Sequence, residues 1–218
     1  MISPQKTILV TGATGYVGGR LIPRLLEAGY TVRGMTRHAE HLHGREWSDD
    51  IEIVEGDVLE PDSLSSVLEG VSTAYYFIHS MEGGANFDDR DAQAAHNFGD
   101  AASTAGVERI IYLGGLGVES EENLSEHLES RQQVGDILRE YEPAVTEFRA
   151  AILVGSGSIS FEMIRYLTER VPIMICPQWV FTKVQPIAIK DALDYLQAAL
   201  TTPESKDRIV EIGGEDVL

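Results

Sequence analysis

The sequence predicts an α/β domain built on a doubly wound parallel sheet, and three observations carry that expectation. First, the apolar run Thr7-Ile8-Leu9-Val10 leads through Gly12, Gly15 and Gly18 into an amphipathic segment bearing Val17, Leu21, Leu25 and Leu26. A strand covered on both faces needs such a run. Second, short β-branched and aromatic runs recur along the chain, separated by segments of helical period, the alternation that gives parallel strands with crossover helices. Third, 43% of the 218 residues are hydrophobic, ample for a core. No apolar run approaches the ~20 residues of a membrane helix.

The first element, Ile8 to Val10, is the central strand, and the three glycines after it give a sharp turn three positions without a Cβ. Such a turn lets the backbone approach a diphosphate and lets helix pack on strand. The N–H groups that open the first helix, expected at about Tyr16, have no partners in the first turn, and with the helix dipole they favour an anion. Gly12, Ala13, Thr14, Gly15, Tyr16, Val17 and Gly18 are therefore the candidate diphosphate site. The expected fold is Rossmann-type and the expected ligand a dinucleotide, although the spacing is Gly-x-x-Gly-x-x-Gly rather than Gly-x-Gly-x-x-Gly.

Gly29 stops that helix, and Thr31 to Thr36 is the second strand. At its end an NAD site usually carries a carboxylate for the ribose hydroxyls. Here stand Thr36 and Arg37, with Arg33 and His38 making the region basic. A guanidinium suits a 2′-phosphate, so NADP(H) is favoured over NAD(H); the competing reading makes Arg37 a solvated loop residue. His38, His41 and His43 have no common helical or strand face and no cysteine joins them, so no metal site is expected. The single cysteine, Cys176, excludes an internal disulfide. Ile51 to Glu55 is the third strand, Gly56-Asp57-Val58 follows it, and Pro61 announces a short helix through Leu68.

Thr73 to Ile78 is the fourth strand, and His79-Ser80-Met81 at its end faces the crevice where open sheets bind ligands. Past Gly83-Gly84, acidic Asp88, Asp89 and Asp91 suit the start of a long helix carrying Ala92, Ala95, Phe98, Ala101 and Ala102. Arg109 to Leu113 is the fifth strand, leading into Gly114-Gly115-Leu116-Gly117. Asn123 with Glu126 reads as an N-cap pair for a helix through Leu138, and Val145 to Ala151 is the sixth strand. After Gly155 come a helix with Phe161, Ile164 and Leu167, the apolar stretch Val171 to Phe181, a helix over Ala192 to Leu200 and a strand at Ile209 to Ile212. The apolar stretch suits either core or a pocket for an apolar small molecule. We read residues 1–218 as one domain, with a dinucleotide-binding core over 1–154 and a smaller C-terminal part over 155–218 as the candidate substrate side.

Thr11 to Gly18, Gly56-Asp57-Val58, Tyr76 to Met81, Tyr112 to Leu116 and Gln185 to Asp191 together resemble the atypical short-chain dehydrogenase/reductases, in particular the NAD(P)-binding, NmrA-like group. The resemblance runs from about Lys6 to the end of the chain. It implies that Asp57 and Val58 meet the adenine, and that Phe77, Ile78, His79, Leu113 and Gly114 at the strand ends line the cofactor. In active members a serine after the fifth strand and a Tyr-x-x-x-Lys pair on the next helix move the proton. This chain has Gly114 and Gly115 near the serine's place, and His127-Leu128-Glu129-Ser130-Arg131 where the pair would stand. His127 and Arg131 lie one turn apart. An imidazole can exchange a proton near neutral pH and a guanidinium can hold the ribose, which makes His127, Arg131 and, across the crevice, His79 the catalytic candidates. The bland alternative is an exposed helix start with Glu126 and Glu129 as ion partners.

Two functions follow: an oxidoreductase or epimerase on an apolar small molecule with a substituted proton donor, or a regulator or assembly factor that senses NADP(H) without turning it over. A net charge of −18, from 35 acidic and 17 basic residues, argues against nucleic acid. With a strand so close to Met1, no signal peptide is expected and the expected location is cytoplasmic.

Overall fold

The computed structural model describes residues 6–79, 87–117, 126–170 and 183–217. Ser80, Met81, Gly83, Gly84, Asn123, the stretch Val171 to Phe181 with Cys176, and the side chain of His127 lie outside what is described. The chain runs β1 (Thr7–Val10), α1 (Gly18–Glu27), β2 (Thr31–Thr36), β3 (Glu52–Glu55), α2 (Pro61–Leu68), β4 (Val71–Tyr76), α3 (Phe87–Thr104), β5 (Arg109–Gly115), α4 (Glu126–Leu138), β6 (Ala144–Ala150), β7 (Leu153–Val154), α5 (Ile159–Arg170), β8 (Ile187–Ala188), α6 (Ile189–Ala198) and β9 (Arg208–Ile212).

Seven strands form one parallel sheet in the order β3-β2-β1-β4-β5-β6-β9. The order reverses at β1 and β4, the switch point whose carboxyl ends open a crevice. Alternation along each strand sends side chains to opposite layers. Ile8, Val10, Ile111 and Phe148 pack with Leu21, Ile22 and Leu25 of α1 and Leu193 and Leu196 of α6. Leu9, Tyr76, Ile110 and Tyr112 pack with Leu64 and Val67 of α2, Phe98 of α3 and Val134 and Leu138 of α4. The described core residues past Val154 join the α1 layer: β8 pairs with β7, α6 packs beside α1, and β9 closes the sheet's edge on β6.

Several boundaries differ from the sequence reading, each for a local reason. α1 begins at Gly18 rather than Tyr16, because the Gly15 N–H turns back to the Gly12 carbonyl at 2.9 Å and spends residues 15–17 on a tight turn. β4 begins two residues earlier than expected, directly after Gly70 at φ +70°, and ends at Tyr76. Phe77 leaves the ladder there because its N–H goes to the Thr11 hydroxyl at 2.9 Å. β5 runs on to Gly115, paired with Ala150 of β6. Residues 38–50 form two single-turn 3₁₀ segments pinned by buried Leu42 and Trp47. Arg33 does not add to the basic loop after β2: from within the strand it donates to Glu52 at 2.8 Å and to the carbonyls of Val67 and Glu69. Among the described residues no helix is long and apolar enough to cross a membrane, and no group of three metal-ligating side chains occurs.

Candidate functional site

The glycine turn is built by close backbone approach. Gly12 has φ +61°, which disfavours a side chain, and a Cβ there would lie 2.7 Å from the Phe77 carbonyl oxygen. A Cβ on Gly18 would lie 2.5 Å from the Gly12 oxygen, so α1 rests against its own incoming turn. Thr11 holds the ends of β1 and β4 together, its hydroxyl donating to the Tyr75 carbonyl at 3.0 Å while accepting from Phe77. Sequence reasoning passed over Thr11; a hydroxyl wedged between a buried strand and the first glycine was the available sign. The N–H groups of Tyr16 and Val17, immediately ahead of α1, find no partner among the described residues, while Ala13 beneath them is fully buried. Together the donors, the helix terminus and the missing side chains make a cradle that fits a diphosphate.

Cations gather around that cradle in a strongly acidic chain. Arg37 leaves the end of β2 exposed and without an ion pair among the described residues, whereas Arg24, Arg33, Arg139, Arg149 and Arg165 each hold a carboxylate. Buried Thr36 beside it is occupied with the His38 backbone. Arg45, which the sequence reading did not single out, leans back on the exposed Thr14 and donates to its carbonyl at 3.4 Å. Arg20 donates to the Tyr16 carbonyl at 3.3 Å. On the adenine side, Asp57 lies half-buried after β3 with one carboxylate oxygen accepting from the Leu59 N–H at 2.9 Å. Val58 is buried, and its carbonyl accepts from Asn97 at 2.8 Å.

At the other end of the crevice stand the ends of β4 and β5 and the first turns of α4. Half-buried Phe77, Ile78 and His79 follow β4, and the His79 ring lies 5.9 Å from that of Tyr112. The Tyr112 hydroxyl donates to the Arg131 carbonyl at 2.8 Å. Burial holds that phenol well above the usual tyrosine range, with the Arg131 charge opposing, so Tyr112 stays protonated and committed as a donor. Leu113 and Gly114 are buried. A side chain on Gly114 would stand 3.0 Å from Glu147 Oε1 and 3.2 Å from the Tyr112 ring; one on Gly115 would stand 2.6 Å from a Leu128 methyl and 3.3 Å from Arg131 Cδ. A serine thus has little room at either place, the packing counterpart of its absence. Arg131 and His79 are brought around the same tyrosine, and Arg131 is half-buried at the end of β5.

Under Gly114 and α4 lies a buried ion cluster that the sequence reading did not single out. Glu147 is fully buried and pairs with Arg149 at 2.8 Å and with Arg139. It fixes the height of α4 on the sheet.

Comparison with known proteins agrees with this geometry. The NAD(P)H-binding family model matches residues 12–154, more than half of the chain. Ceramide reductase of Caulobacter vibrioides is 28% identical over 208 residues, 91% of this chain and 62% of that protein. A 3β-hydroxysteroid dehydrogenase/Δ5→4-isomerase of Mycobacterium tuberculosis is 31% identical over 115 residues, 48% of this chain and 30% of its own. The chain therefore spans less than two thirds of these relatives. Triphenylmethane reductase of Citrobacter sp., solved with NADP(H), superposes with a TM-score of 0.78 at 22% identity, covering 97% of this chain and 71% of that one. A short-chain dehydrogenase/reductase superfamily protein from Agrobacterium tumefaciens with bound NAD gives 0.76 at 18%, covering 97% and 79%. With the glycine cradle at the switch point of a seven-stranded parallel sheet, the family-model match places the chain in the NAD(P)H-binding family.

Proposed function

We propose that the chain binds NADPH in preference to NADH and uses it in a reductase- or epimerase-type reaction on an apolar small molecule. The observation that carries the preference is Arg37, an exposed guanidinium with no carboxylate partner among the described residues, where an NAD site would present an acid. Arg45 adds a second cation on the open side of the turn. The apolar substrate class is supported by the relatives named for ceramide and for hydroxysteroids, and by exposed Met163, Ile164, Tyr166 and Leu167 on α5.

The cofactor would supply hydride; the chain's own residues must hold it and move a proton. Tyr16 and Val17 N–H groups orient the diphosphate, Arg37 the 2′-phosphate, and Arg131 at the end of β5 the nicotinamide-side ribose. His79 and His127 are the proton-exchanging groups assigned to the crevice, since Gly114 and Gly115 leave a developing alkoxide without a serine donor. A general acid contributes about 10²–10⁴-fold in rate, so ordinary aldehydes and ketones should react slowly.

Calorimetric titration with NADPH and NADH tests the preference. Losing a charge-assisted pair at an exposed site, Arg37→Ala should weaken NADPH by about tenfold and leave NADH nearly unchanged. Equal affinity for both in the unmodified protein refutes the preference. A panel of carbonyl, quinone and enone substrates separates an enzyme from a protein that only senses NADP(H).

A further inference from the structure

The chain leaves the main sheet after β6 and makes a tight turn at residues 155–158 before entering α5. The Ser158 N–H donates to the Gly155 carbonyl at 3.1 Å, the Ser158 hydroxyl to the Leu153 carbonyl at 3.1 Å, and the Gly157 N–H to Glu162 at 3.1 Å. These bonds make the turn and the first residues of α5 one piece. Gly157 adopts φ +79°.

Among the described residues, one side chain hydrogen-bonds that piece to the glycine turn. Arg20, in the first turn of α1, donates to the Ser156 carbonyl at 2.9 Å and to the Tyr16 carbonyl at 3.3 Å, and its guanidinium carbon sits 4.0 Å over the centre of the Tyr16 ring. No ion pair diverts it among the described residues. Beneath it the Tyr16 hydroxyl is buried with no hydrogen-bond partner, packed where a Cβ on Gly155 would come within 2.7 Å. The joint thus contains two opposed contributions. Arg20 closes it, using a planar fork that a lysine could not reproduce. The dry, unpartnered hydroxyl favours opening, because water would satisfy it.

We propose that Arg20 is a positioning residue: it sets the 155–158 turn, and through it the start of α5, on the glycine turn, so that a dinucleotide held at the turn and the candidate substrate side keep one relative placement. Tyr16 and Val17, whose N–H groups face the diphosphate, are the residues whose order Arg20 transmits. The proposal rests on the reading of the glycine turn as the dinucleotide site.

Hydrogen–deuterium exchange of the full chain, with and without NADPH, tests it in Arg20→Ala and Tyr16→Phe. In the unmodified protein NADPH should slow exchange both at residues 11–18 and at 153–158. Arg20→Ala should speed exchange at 153–158 about threefold or more without ligand and reduce the NADPH-dependent slowing there to under about half, while slowing at 11–18 persists. Tyr16→Phe keeps the ring under Arg20 and removes only the unpartnered hydroxyl, so it should slow exchange at 153–158. A merely structural Arg20 would change the unliganded rate and leave the NADPH-dependent difference intact, which overturns the proposal. So does acceleration in Tyr16→Phe, or an unmodified protein in which NADPH slows 11–18 alone. Absence of slowing in either region refutes the dinucleotide reading itself.

Discussion

Gly135→Ala sets two calculable effects against each other. Alanine is favoured over glycine inside a helix by about 1 kcal/mol, so on propensity alone α4 should gain stability. The position is buried, however, and a Cβ there would lie 2.8 Å from Glu147 Cδ and 3.0 Å from Oε1, nearer still to Oε2. A methyl group is short of ordinary contact by roughly 1 Å at those distances. Glu147 has nowhere to go: it is fully buried, and both its oxygens are held by Arg139 and Arg149. Either α4 lifts from the sheet, an overpacking strain of about 1–3 kcal/mol, or the pairs break, which in buried clusters costs about 3–5 kcal/mol. Lifting is the cheaper response, and after the propensity gain the net loss should be up to about 2 kcal/mol. For a chain of this size that lowers the melting temperature by up to about 8 °C, with an unchanged urea m-value. Arg131, one turn before Gly135 on the same helix, should move with it, weakening NADPH binding as well. A Gly135→Ala protein more stable than the unmodified one by the full propensity gain, about 1 kcal/mol, refutes the argument and shows that Glu147 yields.

Gly12→Val should abolish NADPH binding in a protein that still shows folded circular dichroism, because φ +61° and the Phe77 carbonyl leave no place for a branched side chain; retained affinity would put the cofactor elsewhere. Arg131→Ala should weaken NADPH severalfold, and unchanged affinity in calorimetry would remove Arg131 from the ribose. Any reductase activity detected should fall in His127→Ala with cofactor affinity kept, and fast turnover surviving both that change and His79→Ala would name another proton donor. Burial raises Tyr75, Tyr76 and Tyr112 above the usual phenol value. Their folded values exceed the unfolded ~10, so their contribution is fully present below about pH 10 and is lost as pH rises beyond it. Absorbance at 295 nm should therefore show these phenols ionising together with the loss of circular dichroism, and smooth titration of every tyrosine in a folded protein would contradict their burial.

The sequence by itself determined the parallel α/β fold and the glycine turn, because each is written in neighbouring residues. A strand, a glycine-rich turn and an amphipathic helix fit within Thr7 to Leu26, and burial on both faces imposes apolar runs that need no knowledge of partners. Arg33 was misjudged for the same reason: its charge is visible in sequence, but its capture by Glu52 and two carbonyls of the α2 end is not. Only the tertiary structure decided where β4 stops, through Thr11 and Phe77, 66 residues apart. It alone joined Arg20 to Ser156 across 136 residues and set Glu147 beneath Gly135. Nor could spacing show that Gly114 and Gly115 have little room for a serine side chain, since that room is limited by Glu147 of β6, by the Tyr112 ring and by α4. Such contacts have no period. A single polar side chain or a single glycine makes each of them, and its meaning appears only when folding brings its distant partner alongside.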